Sequence, residues 1–587
     1  MKRRKFIKNI LSFAAAMPLL SFKNLTMGNI KKLRILITTD VHGAIFPFDF
    51  INNSEEISSL AQVHTYAESL KKQGHEVILC DNGDILQGQP VVYYSNFEKT
   101  QSQHLLSRVM NYMKYDTGTV GNHDIEAGHD VYDKFTKELN FPWLAANAID
   151  KKTKEPYFQP YKIIEKDGAK IAILGLITPA IPKWLPEKIW EGMEFEDMIE
   201  SAKKWVTIIH EKEKPDLVVG TFHAGIDYTY GNQTAESYKN ENATKLIAQQ
   251  VEGFDIIIGG HDHQLYKEWI ANPKGKKVLV LDPKNSAQYL AEIKVEIDLD
   301  SEVDFYKKKI SGELVKVSDI KVDKDFMKEF SADFEEVKQY VSKEIGTFSK
   351  SISTRDAFFG NCEFIDLVQQ IQLELTGADI SFASPLSYNA EIRQGKVYIR
   401  DMFKLYKFEN LLYTMKLSGK EIKDYLEFSY SKWFKTMKSK KDSMLLFVEN
   451  ADGSKRLEGQ FFNFSSAAGI DYEVDITKNI GQRVHIKQMS DGKPFDEKKF
   501  YKVAVNSYRG NGGGNHLTDG AGIAKKELAS RIITSTEKDL RYYIIKWIEE
   551  KQIIEPQSFG NWKVVPERFW KKAKYKDYDI LFNQQRF

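Results

Sequence analysis

At 587 residues, with 42% of them hydrophobic, the chain is too long for one hydrophobic core, so two domains and a connector are expected. Its 84 Lys+Arg balance 82 Asp+Glu, and it has only two cysteines. Those figures give no sign of a basic polymer-binding protein and exclude a scaffold built on disulfides.

Residues 1–30 predict an export signal. Lys2, Arg3, Arg4, Lys5 and Lys8 precede an apolar stretch from Ile10 to Leu20 that is too short to span a bilayer. The pair Arg3-Arg4 before Phe6, Ile7 and Lys8 resembles a twin-arginine signal. It implies twin-arginine export machinery as a partner, a periplasmic or otherwise extracytoplasmic location, and no stable membrane span. Residues 1–27 hold six basic residues and no acid, so the remainder carries a net charge of −4. No nucleic-acid polymer is expected as a partner on that charge.

Between residues 31 and 300, short β-branched apolar runs alternate with amphipathic segments. The runs are 33–39, 77–80, 117–120, 170–177, 217–222, 254–258 and 278–281. This is the pattern of buried strands separated by helices, an α/β domain. Phe326, Phe330, Phe334, Val337, Val341 and Ile345 then recur at spacings of three and four, predicting a helix within a linker at 301–345. Residues 346–566 mix helical patches with separated strands and predict an α+β domain. Residues 567–587, basic and aromatic, are expected to form a tail. Cys80 and Cys362 fall in different domains and are expected to be free core thiols.

Several of the apolar runs lead into residues of metal-ligand type. Asp40-Val-His42 follows the first, Asp81-Asn-Gly-Asp84 the second and Gly121-Asn122-His123-Asp124 the third. His223 and Gly260-His261-Asp-His263 follow later runs. Carboxyl ends of strands in α/β sheets are where sites assemble. Each motif alone is compatible with an ordinary turn. In this order, the set resembles the calcineurin-like metallophosphoesterase superfamily.

That resemblance implies an α-β-β-α sandwich and two divalent metal ions. Asp40, His42, Asp84 and His263 would hold one, and Asp84, Asn122, His223 and His261 the other, with Asp84 as bridge. Nitrogen and oxygen donors without thiolate suit Zn, Mn, Fe or Co. The implied reaction is hydrolysis of a phosphate ester by in-line attack of a metal-bound hydroxide. His123 would be the catalytic acid or transition-state stabiliser, and Glu126 would orient it.

The segments Asp81-Asn-Gly-Asp-Ile-Leu-Gln-Gly-Gln-Pro90 and Ala146-Asn-Ala-Ile-Asp150 are similar to exported nucleotidases, whose second domain is a smaller α+β 5'-nucleotidase C-terminal domain. Leu405-Tyr-Lys-Phe-Glu-Asn-Leu411 and Asn506-Ser-Tyr-Arg509 point within that group to the periplasmic 2',3'-cyclic-nucleotide 2'-phosphodiesterase/3'-nucleotidases. The resemblance implies a base held between Phe408 and Tyr508, with Asn410 and Asn506 beside it. Flat rings accept any base face. A Gly-Gly-x-Arg segment common in 5'-nucleotidases is replaced here by Ser384-Pro-Leu-Ser-Tyr-Asn389, with no arginine before Arg393. A 5'-nucleotidase, a UDP-sugar hydrolase, a dimanganese hydrolase of thiosulfate oxidation and a non-catalytic surface nucleotide-binding protein remain open as alternatives.

Overall fold

The computed structural model describes residues 29–301, 307–450 and 453–583. Nearly all of the expected export signal, residues 1–28, lies outside them. Among the described residues no helix is long and apolar enough to cross a membrane.

In chain order the first half places β1 (Ile30–Thr38), β2 (Glu76–Asp81), β3 (Thr117–Thr119), β4 (Trp143–Leu144), β5 (Tyr161–Lys166) and β6 (Ala169–Ile177). β7 (Leu217–His223), β8 (Ile256–Ile258), β9 (Leu265–Ala271), β10 (Lys277–Pro283), β11 (Tyr289–Asp298) and β12 (Lys308–Lys316) follow. They form two six-stranded sheets, ordered β12-β11-β1-β2-β3-β4 and β9-β10-β8-β7-β6-β5. Strands β1 to β4 run parallel, as do β6, β7, β8 and β10, while antiparallel strands complete each sheet.

Alternation along β1 shows how the layers form. Leu33, Ile35 and Ile37 pack between the sheets with Ile173, Val219 and Ile258, and Leu36 packs outward beneath helices. Both faces of the central strands are therefore covered, which is why they read as unbroken apolar runs. Cys80 is buried at the sheet interface, and Cys362 is buried in the second domain; both are free thiols.

Two expectations about the connector are corrected. Residues 308–316, assigned to the linker, are strand β12, paired along its length with β11, so the first domain's sheet extends past residue 300. The single helix expected over 326–345 is two, α1 (Lys324–Glu329) and α2 (Ser331–Val341), and Ile345 lies in a strand, Glu344–Phe348. Phe326, Phe330, Val337 and Val341 are buried in the first domain's core, so the helices dock rather than merely connect.

The second domain is built on β13 (Ile380–Ala383), β14 (Leu412–Ser418), β15 (Ser466–Ala468), β16 (Phe500–Asn506) and β17 (Ile532–Ser535), ordered β15-β13-β16-β14-β17. Helices α3 (Ile399–Leu405) and α4 (Leu540–Lys551) pack together on it. Residues 567–583 are not a tail. They begin with α5 (Glu567–Tyr578), whose Asp577 accepts the amides of Met444 and Leu445 at 2.7 and 2.9 Å, and Ala573 and Leu581 are buried in the core. Bulky apolar residues at helical spacing outweigh the basic composition that suggested a free end.

Candidate metal centre

The loops after β1 and β2 are laced together by backbone hydrogen bonds. Asp40 N–H donates to Gly83 O at 2.8 Å, His42 N–H to Asp84 O at 3.0 Å, and Asn82 N–H to Thr38 O at 2.7 Å. Asp40, His42, Asp84, His261 and His263 all take positive φ, between 48° and 74°. Such conformations cost free energy in residues with a Cβ and cluster at functional sites. Gly83 has φ +93°, and a Cβ there would sit 2.7 Å from Gly121 N and 2.9 Å from the His223 ring, so only glycine lets these loops meet.

The seven side chains proposed as ligands converge in two adjoining groups. In the first, Asp40, His42 and His263 bring their donor atoms within 4.8 Å of one another. His42 Nε2 and His263 Nε2 are 3.1 Å apart, and His263 Nε2 is 3.3 Å from Asp40 Oδ1. Asp84, His223 and His261 form the second group under the same limit. His223 Nε2 is 3.1 Å from Asp84 Oδ2 and 3.2 Å from Asn122 Oδ1, and 4.0 Å from Asp40 Oδ1 in the first group.

The donor set fits divalent cations. His42 Nδ1 lies 3.0 Å from Gln87 O and His223 Nδ1 lies 2.7 Å from Asn82 O, so both rings spend their Nδ1–H on backbone carbonyls. Each Nε2 then faces acceptor atoms, an arrangement that calls for positive charge between them, from a proton or from a bound cation. Asp84 Oδ2 is buried and faces His223 Nε2 at 3.1 Å. Burial would raise the Asp40 carboxyl, but His223 and His263 hold it down at about 2. Burial works against charge on His223, yet Asp84 and Asp40 push that ring up to about 10. On His42 burial wins and brings the ring down to about 3, toward the neutral form a ligand needs.

His123 stands beside this centre. Its backbone N–H donates to Asp84 Oδ1 at 2.8 Å, its Nδ1 meets Glu126 Oε2 at 2.5 Å, and its ring lies 5.6 Å from that of His42. Burial opposes its charged form, but Asp84 and Glu126 outweigh it and push the imidazole up to about 9.

Two carboxylates in the same motifs carry structural weight that sequence alone did not assign. Asp124 accepts four backbone amides, from Asp84, Ile85, Leu86 and Gly121, at 2.7 to 3.0 Å, and so clasps two ligand loops together. Asp81 accepts Thr38 Oγ1 at 2.7 Å and Gly83 N–H at 2.8 Å. Glu241, in a loop without a motif, reaches His261 Nε2 at 3.4 Å, and Trp184 stacks on that ring at 5.5 Å.

Of the residues expected at the base, Phe408 shares a cleft of about 1600 Å³ with His42, His123 and His263. Tyr508 is not among the residues lining it and packs its ring against Gly513. Asn506 caps a short helix, accepting Arg509 N–H at 2.9 Å, and Asn410 is buried. The loop carrying Phe408 is held by Arg541, which is fully buried. Its guanidinium donates to Tyr406 O at 2.9 Å, Lys407 O at 2.5 Å and Glu409 Oε1 at 3.0 Å, and lies over the rings of Phe403 and Tyr93. Tyr93, from the first domain, donates its hydroxyl to Asp539 Oδ2 at 3.0 Å. Nothing in the local sequence marks Arg541, whose partners lie about 130 residues away.

Comparison with known proteins matches the two halves separately. Residues 33–265 match the calcineurin-like phosphoesterase model, and residues 344–519 match the 5'-nucleotidase C-terminal domain model. The chain is a calcineurin-like phosphoesterase with a 5'-nucleotidase C-terminal domain. As such it is a phosphoester hydrolase of the nucleotidase family. It is 25% identical to the 2',3'-cyclic-nucleotide 2'-phosphodiesterase/3'-nucleotidase of Yersinia enterocolitica, over 91% of this chain and 88% of that one. The protein of the same name from Haemophilus influenzae is 27% identical, over 96% and 92%. The trifunctional nucleotide phosphoesterase YfkN of Bacillus subtilis is 25% identical over 91% of this chain, which spans 39% of YfkN. A Staphylococcus aureus structure described as a 5'-nucleotidase shares the phosphoesterase's fold, with a TM-score of 0.74 at 22% identity, over 91% of this chain and all of that one.

Proposed function

We propose that this phosphoesterase hydrolyses 2',3'-cyclic nucleotides and the resulting 3'-nucleotides in an extracytoplasmic compartment. The observation that carries the reading is that His42 and His263 of the first ligand group, His123 with its Glu126 partner behind it, and the Phe408 ring share one interdomain cleft, with the second ligand group adjoining the first. The relatives of that name, matched over about nine-tenths of both chains, support the substrate class.

Asp40, His42, Asp84 and His263 would hold one divalent cation, and Asp84, Asn122, His223 and His261 a second. Cations held there supply activation of water and neutralisation of the charge gained by phosphoryl oxygens. Asp124 and Asp81 keep the ligand loops in register. Glu126 fixes the His123 ring through Nδ1, leaving Nε2 to donate a proton to the departing ribose oxygen. Phe408 offers a stacking face to the base, and Arg541 holds that loop at the height of the metal centre. Phe408 and Tyr508 belong to the same domain, so rotation of that domain against the first would carry both rings, and a base held by them, relative to the metal centre.

The experiment is phosphate release by the manganese-loaded enzyme from 2',3'-cyclic AMP, 3'-AMP and 5'-AMP in parallel. Excess phosphatase is added to the cyclic assay, and Asp84→Ala serves as control. Preference for the first two substrates is expected. Preference for 5'-AMP would move the enzyme to the 5'-nucleotidases, which are also among its relatives at 27% identity over 67% of the chain.

A further inference from the structure

The cleft that opens from His42, His123 and His263 is larger than a mononucleotide needs. Its volume of about 1600 Å³ exceeds the roughly 300–1,000 Å³ of ordinary small-molecule sites. Its charge is also unlike that of the chain. Seven Lys and Arg line it against three acids, whereas the whole sequence is nearly balanced at 84 to 82.

The cations lie on both walls. On one, Lys396 stands in the strand Gly395–Tyr398, Arg400 and Lys404 lie one turn apart on α3, and Lys407 follows just before Phe408. Successive side chains of that helix face sit about 6 Å apart. Lys284 and Lys316 stand on the other wall. Lys284 is held by Gln288 Oε1 at 2.9 Å, and Arg400 lies over the Tyr398 ring at 4.0 Å. Lys284, Lys316 and Arg400 form no ion pair among the described residues. A mononucleotide with its one phosphate at the metal centre would leave these charges unneutralised. Asparagine, glutamine, serine and tyrosine side chains fill the spaces between them and can bond sugars and base edges.

We propose that this cleft is a track for the upstream phosphates of a short single-stranded oligonucleotide whose 3'-terminal phosphate, cyclic or open, is the group hydrolysed. The proposal rests on the nucleotide reading of the same centre and extends it from mononucleotides to fragment ends. It also narrows the expectation that no nucleic-acid polymer binds, since the ligand is a short fragment in a local basic groove rather than a duplex on a basic surface.

The test compares kcat/KM for a 3'-phosphorylated trinucleotide, 3'-AMP and p-nitrophenyl phosphate at two salt concentrations, in the wild-type enzyme and in Lys316→Gln/Arg400→Gln. The trinucleotide is expected to be favoured about tenfold over 3'-AMP, with a salt slope steeper by about one. The double variant should lose that preference and keep its activity on 3'-AMP and the aryl phosphate. Its melting temperature, unchanged from wild type, excludes misfolding. Equal kcat/KM for trinucleotide and 3'-AMP would overturn the track alone. Activity on the aryl phosphate with neither nucleotide hydrolysed would overturn the nucleotide reading beneath it. Competition by tripolyphosphate as strong as by the trinucleotide would overturn the assignment to nucleic acid.

Discussion

In the N-terminal domain, the candidate site residues project from the ends of buried parallel strands. In the C-terminal domain they sit on loops held by buried polar groups. Asp40 and Asp84 lie two and three residues past strands whose two faces are packed, and His223 is the last residue of another. Phe408, by contrast, is placed by Arg541, from a helix more than a hundred residues further on. A strand-end site derives its geometry from the sheet, so losing one ligand removes chemistry and leaves the frame. A loop site derives its geometry from a few hydrogen bonds, so losing one of them moves the binding surface.

This contrast predicts that changes in the first domain lower kcat on every substrate, while changes in the second act on KM for nucleotides. The largest effect is expected for Asp84→Ala. Activity on nucleotides and on an aryl phosphate should fall by about 10³-fold or more, and elemental analysis should show metal lost from the purified protein. His123→Ala should lower kcat by about 10²- to 10³-fold with metal content unchanged; a loss of metal as well would make His123 part of the ligand frame. Asp124→Asn removes acceptor strength from the clasp over both ligand loops. Metal affinity should drop about 10- to 100-fold by titration, while a melting curve shows the fold retained.

Effects in the second domain should be smaller and selective. Phe408→Ala should raise KM for nucleotides about tenfold, the worth of one base stack, and leave the aryl phosphate unaffected. Equal losses on both substrates would break the contrast between the halves. Tyr93→Phe removes the hydroxyl that reaches Asp539 across the domain boundary. It should cost about 1 kcal/mol of stability in a denaturant melt and raise nucleotide KM by less than the Phe408 change does.

Much of the first domain was legible because its signals are local. A strand buried on both faces must be apolar throughout, so the runs at 33–39, 170–177 and 217–222 announce themselves, and donors at their ends are conspicuous. Strands with an exposed face are less so: β9 is mostly exposed, and its sequence does not separate it from a loop. β12 was missed for a related reason, since its charged residues face solvent and only pairing with β11 makes it a strand. The break between α1 and α2 falls within a continuous helical pattern, and docking on the core decides it.

By itself, the sequence determined the order of domains, the buried strands of the first, and which residues of ligand type stand at their ends. These depend on neighbours within a few residues, which is all that periodicity and spacing can report. Tertiary structure alone decided that Asp124 clasps two ligand loops, that Arg541 holds the loop of Phe408, that Tyr508 lies off the cleft wall, and that α5 packs into the core. Each of those facts depends on which distant segment occupies the adjoining space, and in a chain of 587 residues that is settled by packing the whole domain rather than by any stretch of it.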